Sequence, residues 1–273
     1  MDRLIILACL ALLAAGTACS VKEDRGPCPC YLQVSFTDTE AAGEAELLGW
    51  RDDRVFRDRI RIEEARPAWT QPVPKGMLTL SACTGIREAF AEGHQMRIPP
   101  GSEADSLYAW FGEVDASGDL AYAQVTFRKQ FATVFLDIRK SAEVVRSCRF
   151  LVEGNSCGFD LLDFSPVEGK FRCEPLPSTS PSTGTGTGSG VGDGTIVTFR
   201  VPRQGDMKLA VTVTPEGSVP ATFPLGEYIN RLGYNWKTEE LQDIYVSIDL
   251  ARGLVDVRVA DWEHGAEFPL VEQ

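Results

Sequence analysis

"IYVSIDLARGLVDVRV" (244–259) alternates apolar and polar residues twice, on either side of a break. Ile244, Val246, Ile248 and Leu250 share one parity, and so do Val255, Val257 and Val259. In an extended chain successive side chains point to opposite faces, so this is the period of strands with one buried face. The break, "ARG" (251–253), reads as a turn.

Working outward, the same period recurs at Leu32/Val34/Phe36, Leu78/Leu80/Ala82, Leu107/Ala109/Phe111, Ala132/Val134/Leu136/Ile138, Val197/Phe199/Val201 and Leu209/Val211/Val213. Turn text such as "DASGD" (115–119) separates the runs. Helical periodicity is scarce, with short helices expected only near 39–48 and near 226–232. Many short strands with regular turns predict an all-β chain of antiparallel sandwiches. "PSTSPSTGTGTGSGVGDGT" (177–195) has too few apolar residues to offset the entropy of ordering and is expected to be a flexible loop. The best division falls near 140–148, giving an N-terminal β-sandwich over 30–145 and a C-terminal one over 146–273. No sequence repeat relates the two.

The apolar run from Leu4 to Ala15 is shorter than the about 20 residues that span a bilayer. It fits a secretory signal over 1–18, with Gly16, Thr17 and Ala18 before the cut. Ala18–Cys19 suits a lipoprotein signal peptidase, although such signals usually carry Leu where Gly16 stands. Lipidation of Cys19 is therefore expected, with 19–29 as the lipidated N-terminal linker. Lys22, Glu23 and Asp24 resemble the surface-export signal of Bacteroidota lipoproteins.

The formal net charge of −12, without a dense basic run, argues against nucleic acid. The arginine-rich "RDDRVFRDRIRIEEAR" (51–66) interleaves its basic residues with acids and is expected to be a structured edge or loop. Of the 8 cysteines, Cys28 and Cys30 are too close to bridge each other without strain. Cys148 and Cys157 could face each other across a hairpin as a disulfide. His94 and His264 form no H-E-x-x-H motif, and the glycine tract matches no nucleotide-binding pattern. No catalytic residue, cofactor or metal site is expected.

Four stretches, taken together, carry a family resemblance: "CPCYLQVSF" (28–36), "IPPGSEADSLYAWFGEV" (98–114), "TFRKQFATVFLDI" (126–138) and "LQDIYVSIDLARGLVDVRVADWE" (241–263). In that order, behind a lipoprotein-like cysteine, they resemble the FimB-like fimbrial anchor and minor-fimbrillin family of Bacteroidales. The resemblance implies two tandem transthyretin-like domains in a non-enzymatic fimbrial component at the outer-membrane surface. It also implies a lipid tether, strand exchange between subunits, and the stalk subunit and other minor fimbrillins as partners. The tail beyond about 261, with Phe268, Leu270 and Val271, could be a donor strand for the first stalk subunit. It could equally close its own sandwich through Trp262 and Phe268. The alternative function is a surface glycan- or host-binding lipoprotein, which needs an exposed aromatic platform. Trp110 and Trp236 lie in strand-like or apolar text and are expected in the core.

Overall fold

The computed structural model describes residues 28–37, 41–138, 142–177, 195–249, 254–259 and 266–269. The first half of the chain contributes β1 (Cys30–Ser35), β2 (Glu44–Trp50), β3 (Arg54–Arg61), β4 (Ala68–Val73), β5 (Met77–Thr84), β6 (Phe90–Glu92), β7 (Gln95–Arg97), β8 (Tyr108–Asp115), β9 (Leu120–Gln124) and β10 (Arg128–Lys129). The second contributes β11 (Phe131–Ile138), α1 (Ala142–Arg146), β12 (Arg149–Asp160), β13 (Pro166–Cys173), β14 (Thr195–Pro202), β15 (Ala210–Thr214), β16 (Ala221–Phe223), α2 (Leu225–Arg231), β17 (Ile244–Asp249), β18 (Leu254–Val259) and β19 (Ala266–Pro269).

Two sheets enclose the first core, a three-stranded one ordered β4-β1-β9 and a five-stranded one ordered β10-β8-β5-β2-β3. Leu32, Val34 and Phe36 from the first meet Leu47, Leu78 and Leu80 from the second. The second core lies between the sheets β14-β11-β17-β18-β19 and β16-β15-β12-β7-β6, with β13 also paired to β12. Val134, Leu136, Val197, Phe199, Val211 and Val246 fill it. Most of the alternating runs thus supply the inward faces of the two sandwiches. Leu107/Ala109/Phe111 does not, since Leu107 and Ala109 pack with Leu48 and Phe159 in a separate cluster and Phe111 is exposed.

The two halves follow one strand path. β1 pairs antiparallel with β4 and parallel with β9, and β11 pairs antiparallel with β14 and parallel with β17. β2 pairs with β3 and β5, as β12 pairs with β13 and β15. β5 continues to β8, as β15 continues to β16. The first half inserts the hairpin β6–β7 between β5 and β8, and the second appends β18 and β19 after β17.

This path corrects the boundary at 145/146. β11 supplies Ala132, Val134, Leu136 and Ile138 to the second core, so the chain crosses between sandwiches at Gln130, between β10 and β11. The hairpin β6–β7 also departs from the sequence division, since β7 pairs with β12 through Arg97↔Gly158, Met96↔Phe159 and Gln95↔Asp160. Gly158 makes that approach possible, because a Cβ there would lie 1.9 Å from the Met96 carbonyl oxygen.

Where a helix is expected near 39–48, Glu44–Trp50 form strand β2 instead. Its helix-like run of apolar residues arises because both faces are covered. Ala45 and Leu47 face the first core, while Leu48 and Trp50 face a third core. The expectation near 226–232 corresponds to α2, and α1 was not anticipated. "DASGD" is a corner between sheets, since β8 and β9 belong to different ones.

The third core joins the sandwiches. Leu48, Trp50, Cys83 and Ala109 come from the outer face of the five-stranded sheet, Met96 from the hairpin, and Phe159 and Leu161 from the end of β12. Across the seam Ser81 Oγ donates to the Leu161 carbonyl at 2.7 Å. Burying each large apolar side chain contributes about 1.5–3 kcal/mol, so a buried apolar seam couples the halves more tightly than the polar contact typical between domains. The protein is expected to unfold in one cooperative calorimetric transition. Leu161→Asp should place an unpaired charge in the seam and separate it into two, whereas two transitions in the unaltered protein would contradict this coupling.

Candidate functional site

Cys19, Lys22, Glu23 and Asp24 lie outside the described residues, as do Leu270 and Val271. Phe268 lies on β19, opposite Val255 of β18, at the edge of the second sandwich. The Cys148–Cys157 disulfide is corrected. Cys148 precedes and Cys157 lies within the single strand β12, and nine residues of extended chain separate them by about 30 Å, beyond disulfide reach. Both are free thiols, as are Cys28, Cys30, Cys83 and Cys173. Burial, with the charges of Glu103 and Glu174, pushes the Cys173 thiol up to about 12, and burial also raises Cys83. Cys28 is the exposed member of the set.

The stretch 51–66 holds the edge strand β3, where Arg57 pairs with Glu46 and Arg61 with Glu64. His94 sits between β6 and β7 with Nδ1 against Asp160 Oδ2, in an exposed pair. Among the described residues no group of three or more His, Cys, Asp or Glu could hold a metal ion, and no helix is long and apolar enough to cross a membrane.

Two features stand out as places where another molecule could meet the chain. One is the edge of β9, which pairs with β1 alone among the described strands. Val125 donates its N–H to the Ser35 carbonyl at 2.9 Å. Alternate residues of a strand address the same neighbour, so Ala123 and Ala121 also face β1, and Tyr122 turns its backbone groups to the open side. Tyr31, Leu120 and Tyr122 lie exposed on the outer face of this small sheet. In the second sandwich the corresponding edge, that of β17, is covered by β18 along Ile244↔Val259 to Asp249↔Leu254.

The other feature is the seam at the crossing residue. Gln130 is buried, and its amide donates to the Arg128 and Glu239 carbonyls at 3.1 and 3.2 Å. Its Oε1 accepts from Arg203 Nε at 2.8 Å. Arg203 is itself 1 % exposed, and its remaining nitrogens donate to the Trp236 and Glu239 carbonyls at 2.5 and 2.9 Å. Burial lowers its pKa to about 10, so the guanidinium stays charged at neutral pH. It has no carboxylate partner among the described residues and lies 5.8 Å from the centre of the Phe164 ring. Beside it Lys129 pairs with Asp243, whose Oδ1 also accepts the Thr133 N–H at 2.8 Å.

A cleft of about 560 Å³ opens over Arg203, walled by Trp110 and Phe111 on one half and Phe164 and Trp236 on the other. Trp110 and Trp236 are therefore half-buried wall residues that pack against the first and second cores, rather than members of the core interior. The sequence missed this site because its residues come from five separated stretches. The available signal was Trp110 itself, an aromatic of opposite parity to its neighbours Ala109 and Phe111.

Arg203→Met should leave the Gln130 Oε1 and the Trp236 carbonyl without this donor, while the Glu239 carbonyl keeps the Gln130 amide, at about 1–3 kcal/mol for each buried group left unpaired. A lowered Tm with red-shifted tryptophan emission is expected, and an unchanged Tm would show that these bonds contribute little.

No family model matches the sequence, and no curated protein matches it. Solved structures do. The fimbrial anchor protein Mfa2 from Porphyromonas gingivalis superposes with a TM-score of 0.59 at 13% identity, over 86% of this chain and 98% of that one. A candidate polysaccharide-binding protein from Bacteroides thetaiotaomicron gives 0.61 at 11% identity, over 89% and 99%. A candidate adhesin from the same organism gives 0.57 at 12% identity, over 90% and 99%. The similarity covers 86–90% of this chain and nearly the full length of each solved structure, so this chain has the fold of the Mfa2 fimbrial anchor protein and of these two Bacteroides thetaiotaomicron proteins.

Proposed function

We propose that the chain is a non-enzymatic structural component of cell-surface fimbriae, tethered to the outer membrane by lipid on Cys19 and joined to neighbouring subunits by strand exchange. The observation that carries this reading is the difference between two equivalent edges, with β17 covered by β18 and β9 open among the described strands. An open edge offers backbone donors and acceptors that an added strand satisfies, with alternate side chains setting its register. The described part of the tail fits a donor role in turn. Among the described strands β19 pairs with β18 alone, so it can leave without breaking another described ladder. Its Pro269 donates no backbone hydrogen bond, as an edge strand tolerates. Stalk and minor fimbrial subunits are the partners, and the fold shared with the Mfa2 anchor supports the assignment.

Two variants test the strand contacts in pilus-forming cells. Tyr122→Pro removes an outward N–H while sparing the β1 ladder, so it should keep the Tm and lose a co-purifying subunit that Tyr122→Ala retains. Deleting 264–273 should leave the Tm nearly unchanged while pili detach into the medium. A sharply lowered Tm in the deletion would instead assign the tail to its own sandwich.

The tether has a separate expectation. Native protein should incorporate labelled palmitate, and Cys19→Ala should not. Equal labelling of the two would remove the lipid from this account.

A further inference from the structure

The cleft over Arg203 has properties that a purely structural seam does not need. Its volume, about 560 Å³, falls among ligand sites of ~300–1,000 Å³, which favour domain interfaces. Its aromatic walls belong to different halves, with Phe111 and Phe164 in ring contact across the seam and Trp110 and Trp236 also lining the cleft.

Phe164 adds an independent sign. Its φ is 60°, in the left-handed region that bulky residues avoid. The ring is nonetheless fixed by edge contacts to Phe111 and Phe159, at 4.8 and 5.9 Å between centroids. Strained, tightly held side chains concentrate at sites that bind.

The charges narrow the ligand. Arg203, Arg128 and Lys237 line the cleft, opposed by Asp163 and Glu239. The excess is positive in a chain whose net charge is −12. Arg128 lies 3.6 Å from Glu239, whose carboxylate is well exposed. The Lys237 ammonium makes no ion pair among the described residues, since its contact to Asn235 is through the backbone. Among the described lining residues there is no glycine-rich loop or helix start to receive a phosphate.

We propose that this cleft binds an acidic oligosaccharide, with sugar rings against Trp110 and Trp236 and a carboxylate directed to Lys237 and Arg128. A pyranose has one face of C–H groups, suited to an indole, and a rim of hydroxyls, suited to Asp163, Thr126 and Thr238 at the cleft wall. A neutral sugar would leave the cationic excess unanswered. The site is separate from the β9 edge, so the two can fail independently.

Soluble protein comprising residues 20–273, with its Cys19 removed, would be titrated calorimetrically with trigalacturonate, a hyaluronan oligosaccharide and sialyllactose. Maltotriose and lactose serve as neutral controls. At least one acidic probe should bind, quench tryptophan emission and weaken as salt rises. Trp236→Ala and Lys237→Glu should each weaken it by about tenfold or more. Lys237 is exposed, so its variant should retain the wild-type Tm and keep the result interpretable if Trp236→Ala folds poorly. Three outcomes overturn the proposal: no acidic probe binds, neutral and acidic probes bind equally, or affinity survives Lys237→Glu.

Discussion

The chain crosses from one sandwich to the other in a single buried residue, Gln130, and the hydrogen bond from Arg203 to its side chain fixes that crossing. The Gln130 N–H is also taken, by the Leu107 carbonyl at 3.0 Å. A flexible linker would let two small domains reorient, which is the usual expectation for domains in one chain. Here the crossing is tied to the loop after α2, and the apolar seam of Leu48, Met96, Phe159 and Leu161 lies beside it. The outer face of the five-stranded sheet therefore behaves as a second interior. Both the position of the cleft and the rigidity of its walls follow, because Phe164 and Phe111 meet across the same seam.

The common strand path places the two sandwiches as variants of one plan, even though their sequences show no repeat. A sandwich needs only period-two patterning and turns in the right places, so many sequences satisfy it. What distinguishes the halves is what each adds. The hairpin β6–β7 extends the first half onto the second, and β18–β19 extends the second half along its own sheet. These additions, rather than the shared framework, decide which surfaces are covered and which remain open.

Much of this was legible in the sequence. Strands with one buried face announced themselves through alternation, as at Leu32/Val34/Phe36 and Ile244/Val246/Ile248. Signals failed where burial departed from that pattern. β2 is buried on both sides, so Leu47 and Leu48 read as one face of a helix. β11 alternates well, but alternation does not say which sandwich a strand joins, and the boundary was set too late. Cys148 and Cys157 suggested a hairpin because β12, at 12 residues, is longer than an ordinary strand. Arg203 looked like any surface arginine, since nothing local foretells that carbonyls from residues 236 and 239 will surround it.

The placement of β1 has a mechanical consequence. Load arriving through the residues before Cys30 would pull along the axis of a central strand, held by β4 on one side and β9 on the other. Extracting it would slide both ladders at once instead of peeling one bond at a time, and resistance to such forced unfolding is set by the rate of that concerted step. The parallel partner matters here. A hairpin neighbour could be unzipped from its shared turn, whereas β9 reaches β1 only through the whole folded first half.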